Sequence, residues 1–158
     1  MNWTDWLSFG VVPCHYGPAV YEFRLVVLGR PVAISRFLGV DEGGTLVYGC
    51  TGKFDQRYWQ SRAAKSSANG SSTINLLYYW ERFTALPKLD PNFAYQYRFA
   101  PLATKKEAKQ HESALIKRYV CRFGDRPPLN SALPDRYAGW DEALASIEQA
   151  LLGVSWSR

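Results

Sequence analysis

Two stretches of this chain place charged residues where their type demands a reason. The first is Leu46 to Arg57, reading LVYGCTGKFDQR: a short apolar strand, a Gly-Cys-Thr turn and the start of a helix with Arg57 on its second turn. A planar, always-charged guanidinium at such a place suits phosphate geometry. The second is the helical pattern that Thr104 opens, where Glu112 stands on the same stripe as Ala108, Leu115, Ile116 and Tyr119. An ionised carboxylate on an apolar stripe is costly unless a cation or hydrogen-bond donors meet it. A third residue, Tyr21, lies on the apolar side of an alternating strand, where a phenol needs a partner. These types point to a phosphate-handling site, with a cation or hydrogen-bond donors beside Glu112.

The elements that must carry them are legible from periodicity. Ala19 to Leu28 alternates Tyr21, Phe23, Leu25 and Val27 against Glu22 and Arg24, a strand with one buried face. Gly29-Arg30-Pro31 and Asp41-Glu42-Gly43-Gly44 read as turns with an extended piece between them. Thr45 to Tyr48 forms a second strand, antiparallel to the first. Thr51 is placed to cap the next helix, with Phe54 and Tyr58 on its inner face. Residues 62–73, RAAKSSANGSST, read as a loop carrying Arg62 and Lys65, and 74–85 as an aromatic helix. Residues 92–102 form a third strand, Phe93, Tyr95, Tyr97 and Phe99 pointing one way and Gln96 and Arg98 the other. Thr104-x-x-Glu107 is a capping box. His111, next to Glu112, points about 100° away on a helix and is a poor co-ligand. Trp3, Trp6 and Leu7 share a helical face, an arm packed on the body, and 139–152 is an amphipathic helix.

The 158 residues make one domain (1–158), with a core over 19–131, an N-terminal arm over 1–18 and a C-terminal helix near 139–152. A composition 47% hydrophobic and 15% aromatic excludes a disordered chain. The net charge of +5 suits a nucleic-acid partner. Basic residues gather around the Glu112 helix: Lys105, Lys106, Lys109, Lys117, Arg118, Arg122 and Arg126. Cys14, Cys50 and Cys121 are widely spaced, form no CxxC pair and read as reduced thiols of a cytoplasmic protein. No apolar run is long enough to span a membrane, and no basic-then-apolar leader is present.

Taken in order, these landmarks resemble the GIY-YIG nuclease superfamily. Ala19-Val20-Tyr21 stands for its first signature, Val47-Tyr48-Gly49 for its second, and Gly49-x-Thr51-x-x-Phe54-x-x-Arg57 continues the second into the helix. Glu112, the pair Leu115-Ile116 and Pro128-Leu129-Asn130 stand for its third. The resemblance implies an α+β fold, a three-stranded antiparallel sheet flanked by helices, with an extra C-terminal helix. It implies metal-dependent hydrolysis of DNA phosphodiesters. Tyr21 holds the attacking water, Arg57 contacts the phosphate, and Glu112 is the sole protein ligand of one Mg²⁺ or Mn²⁺. Gly49, Thr51 and Asn130 are structural at the site, and Lys53, Arg62, Lys65, Lys105 and Lys109 track DNA, including branched or single-stranded forms. Tyr48 joins the catalytic candidates, but the tyrosine slot itself holds Val47. A one-residue offset turns Tyr48 to the opposite face unless a bulge re-aims it. Ser61 holds the slot of a histidine common in the family. Two other readings follow from the same residues: a nucleic-acid-binding module that keeps the fold without cleavage, and a protein-interaction domain with incidental basicity.

Overall fold

Alternating aromatic and β-branched residues from Ala19 to Val27 build the strand around which everything else is arranged. The computed structural model describes residues 1–66 and 92–130, for 61–66 the backbone alone. Its elements are β1 (Leu7–Ser8), β2 (Ala19–Val27), β3 (Arg30–Pro31), β4 (Ile34–Arg36), β5 (Gly39–Asp41), β6 (Thr45–Thr51), α1 (Phe54–Ser66), β7 (Phe93–Pro101) and α2 (Lys105–Phe123). The class is α+β. β2 pairs antiparallel with β7 from Ala19 to Val27, and with β6 from Ala19 to Arg24. Among the described residues the sheet has five strands where three were expected. β1 adds to the outer edge of β7, and β3 folds back on the end of β2. Each extra strand is two residues long, too short for alternation to reveal it.

The turn between β2 and β3 is Leu28–Gly29, one residue earlier than Gly29-Arg30-Pro31 suggested. Both residues have positive φ, 51° and 74°. Two positive φ values match the right-handed twist of a tight hairpin and favour Asn-Gly. A leucine there is strained by about 1 kcal/mol, and Leu28 is exposed. Leu28→Asn is therefore expected to raise stability by about 0.5–1 kcal/mol. A lower melting temperature for that variant would show that the leucine side chain is held by packing instead.

One sheet face carries the core. Tyr21, Phe23 and Leu25 interleave with Tyr95, Tyr97 and Phe99, and α1 covers them with Phe54 and Tyr58. Phe54 and Phe99 lie with ring centroids 4.4 Å apart. The phenols of Tyr58 and Tyr97 donate at 2.7 Å to the carbonyls of Phe9 and Val11, so the N-terminal segment closes this layer. The residues before β1 do not form the helical face expected of Trp3, Trp6 and Leu7. Leu7 packs on the core as a strand residue. Trp6 turns to the other face, its ring 3.8 Å from the Arg24 guanidinium and 4.5 Å from that of Arg98. Cation–π contact and strand alternation decided what helical spacing could not. On that face Arg98 pairs with the buried Glu22 at 2.6 Å, and Arg24 donates to Gln96.

α2 packs on the same face beside β6. Its N-terminus is capped as the sequence predicts: Thr104 Oγ1 accepts from the Glu107 amide at 3.1 Å. The return bond goes from the Ala103 amide to Glu107 Oε2. The helix ends at Gly124, whose φ of 70° suits a left-handed cap. Thr51 does not cap α1. Its hydroxyl accepts from the Lys53 amide at 3.1 Å in a turn ahead of the helix, and the Phe54 amide is met by the Gly17 carbonyl. α1 runs to Ser66, so Arg62 and Lys65 fall on a helix and not in the expected loop. The predicted helices over 74–85 and 139–152 lie outside the described residues. No described helix is long and apolar enough to cross a membrane.

Candidate active site at the edge of strand β6

β6 has β2 on one side only, so its outward amides and carbonyls need partners. Alternation sends the backbone groups of Leu46, Tyr48 and Cys50 outward. Each is met by α2 or by the segment following it. The Leu46 carbonyl accepts from the Leu129 amide at 2.9 Å. The Asn130 side chain brackets Tyr48, accepting from its amide at 3.1 Å and donating to its carbonyl at 2.9 Å. Glu112 meets Cys50, accepting from its thiol at 3.0 Å. The side chains of α2 follow the same course in seven-residue steps, nearly two helical turns each. Lys105 lies against Gly52, Glu112 against Cys50 and Tyr119 against Tyr48. Glu112 is thus a carboxylate at a sheet edge, neither exposed nor inside the core.

Tyr21 reaches this edge from the other face. It pairs in register with Gly49, and its ring lies across that glycine. A Cβ at Gly49 would stand 2.3 Å from the Tyr21 hydroxyl. Gly49 is therefore glycine for space, not for an unusual φ. The phenol is buried and makes no hydrogen bond among the described residues. Burial pushes it up to about 12, opposed by the Arg57 guanidinium and reinforced by Glu112 and Cys50. Arg57 is half-buried on α1. Its charge acts on both Tyr21 and Glu112. Burial likewise raises the Glu112 carboxyl above its ordinary range, against the Cys50 hydrogen bonds, Lys109 and Arg57. The Cys50 thiol is held up near 12 by burial and by Glu112, so it is a neutral donor to that carboxylate.

Tyr21 lies across Gly49, and Arg57 and Glu112 both stand within electrostatic range of its phenol. Tyr48 does not join them. It pairs with Glu22 on the opposite sheet face, and its ring packs edge-on against Tyr119 with centroids 6.3 Å apart. A register shift does occur in β6, between the Phe23–Val47 and Arg24–Thr45 pairs. It lies on the far side of Val47, so Tyr48 and Gly49 stay in regular register and Tyr48 is not re-aimed. Val47 occupies the inward position on the Tyr21 side, buried in the core. Tyr48 and Tyr119 instead help seat α2, whose Tyr119 hydroxyl donates to the buried Asp41 at 3.0 Å.

Of the basic residues, Lys53, Lys105 and Lys109 are exposed near the site. Lys105 and Lys109 are one helical turn apart, and both act on the Cys50 thiol. The side chains of Arg62, Lys65 and Ser61 lie outside the described residues. His111 is turned toward Glu107, at 4.0 Å, and not toward the site. The residue sequence reasoning missed is Cys50. Its signal was present: it sits between Gly49 and Thr51, one position out of phase with Val47 and Gly49, hence on the α2 side.

Asn130 is nearly buried, and removing it would strand the outward amide and carbonyl of Tyr48. Asn130→Ala is expected to cost about 1–3 kcal/mol, read as a lower midpoint in urea. An unchanged midpoint would mean that water replaces both bonds. No family model, curated protein or solved structure matches the chain.

Proposed function

We propose that this chain is a metal-dependent DNA endonuclease of divergent GIY-YIG type. The observation that carries the reading is the convergence of Tyr21, Arg57 and Glu112 at the Gly49–Cys50 edge of β6, beside the exposed Lys53, Lys105 and Lys109. Phosphodiester hydrolysis needs a positioned water, a sink for negative charge and help for the leaving oxygen. Tyr21 is a neutral phenol at working pH and holds the attacking water by hydrogen bonding rather than deprotonating it. Arg57 lies across the site on α1 and binds the phosphate oxygens where charge develops. Cys50 orients the Glu112 carboxylate by its thiol hydrogen bond. The lysines hold the flanking backbone phosphates.

Glu112 suits a hard divalent ion of the Mg²⁺ or Mn²⁺ kind. Among the described residues no cluster of three or more His, Cys, Asp or Glu surrounds it. A single carboxylate is enough for Mg²⁺, which keeps waters and takes substrate phosphate oxygens. Such an ion, when bound, supplies Lewis-acid stabilisation of the phosphate and of the leaving 3′ oxygen.

The second reading is a nucleic-acid-binding module without turnover. The burial of Val47 in the tyrosine slot favours it. Supercoiled plasmid and branched or single-stranded DNA, incubated with Mg²⁺, Mn²⁺ or EDTA, separates the two. Cleavage that EDTA stops and that Arg57→Ala lowers by about 10²–10³-fold is the expected result. No cleavage in any metal, with salt-sensitive binding retained, establishes the binding module. Absence of salt-sensitive binding rejects both and leaves a protein-interaction domain.

A further inference from the structure

Cys50 enters the reading above only as a hydrogen-bond donor, and the metal-binding chemistry of its sulfur is unused. Its sulfur lies 3.0 Å from Glu112 Oε2, so a sulfur donor and a carboxylate donor stand side by side at one point of the β6 edge. A second observation marks the same point. The Tyr21 hydroxyl belongs to a residue 7% exposed, makes no hydrogen bond among the described residues, and lies within electrostatic range of both donors. A buried phenol ordinarily has a partner. Carboxylate, thiol and unpartnered phenol together form a place for a polar ligand.

We infer that Cys50 selects the ion. With Glu112 it forms a mixed sulfur–oxygen donor pair that takes thiophilic divalent ions, of the cobalt, zinc and cadmium kind, in preference to magnesium. The inference rests on Glu112 being the metal ligand. Magnesium is hard and draws oxygen, so it leaves the thiol donating to the carboxylate. A softer ion accepts sulfur as well as carboxylate oxygen, and its affinity for such a mixed site exceeds that of a hard ion. The thiol proton passes to solvent as the sulfur–metal bond forms. The expected consequence is a protein whose metal preference follows residue 50, although the carboxylate is unchanged.

The test is a cobalt titration followed by absorption. Cys14→Ser and Cys121→Ser together leave Cys50 as the one thiol of the chain. Cobalt is expected to produce a saturable sulfur-to-metal charge-transfer band in the near ultraviolet. Adding Cys50→Ser should abolish the band and lower cobalt affinity by about 10-fold or more, a larger loss than that of magnesium affinity measured by competition. Glu112→Gln should weaken both ions. A missing band in the background protein, or a band that survives Cys50→Ser, overturns the inference. If Cys50→Ser fails to fold, alkylation of the background protein decides: cobalt must protect Cys50 from iodoacetamide, and equal labelling with and without cobalt overturns it. The spectra need no DNA, so the two readings fail separately. A band without cleavage in any metal rejects the nuclease and keeps the donor pair. Magnesium-dependent cleavage without a band does the reverse.

Discussion

Glu112→Gln is expected to lower the proposed metal-dependent cleavage by about 10³-fold or more, and to make the metal-free protein more stable at neutral pH. The two effects share one cause. Burial raises the Glu112 carboxyl, so the folded chain holds that proton more tightly than the unfolded chain. A raised carboxyl contributes full stability below its unfolded value and loses it as pH rises toward the folded value. Above both, the cost of a buried charge stays constant. Glutamine removes the charge and keeps an oxygen for the Cys50 thiol. A gain of about 0.5–2 kcal/mol is typical when a functional group held against its preference is relieved, or roughly 2–8 °C in melting temperature for a chain of this size. Melts without metal should coincide for the two proteins at about pH 4 and separate as pH rises to about pH 8. A glutamine variant that melts below the parent at the higher pH would show that Arg57 and Lys109 already neutralise the carboxylate. Glu112 would then be a structural clamp on the β6 edge.

Gly49→Ala carries the second large effect, and it acts through Tyr21. The new methyl group would lie 2.3 Å from both the Tyr21 ring and its hydroxyl. The ring has little room to yield, since Phe23 and Phe54 stand against it at centroid distances of 5.7 and 5.9 Å. Either β2 and β6 part locally or the ring leaves its rotamer. Overpacking of this kind costs about 1–3 kcal/mol. On the proposed nuclease reading, displacing the Tyr21 hydroxyl by about 1 Å lowers cleavage by about 10²-fold. The stability loss should largely vanish in a Tyr21→Ala background, because the clash is between those two residues. A loss that persists at full size in that background would place the clash elsewhere.

The part of this protein legible in the sequence is the part governed by local periodicity and capping. Alternation identified β2 and β7 and the inward faces of Tyr21, Phe23, Tyr97 and Phe99, because strand side chains repeat every two residues whatever surrounds them. The 3.6-residue stripe with Thr104 before it located α2 and showed Glu112 on its inner side. Counting parity along β6 turned Tyr48 away from the site, and only the structure could show that the register shift lies too far toward Thr45 to reverse this. Tertiary packing decided what parity cannot encode. Two-residue strands exist only because a neighbour offers its edge, as β7 does for Leu7–Ser8. Trp6 left the helical arrangement its spacing allowed because two guanidinium groups on the sheet gave its ring a better contact. Above all, the pairing of Glu112 with Cys50 joins residues 62 positions apart. It follows from α2 lying along the open edge of β6, and no local pattern in either segment specifies that edge.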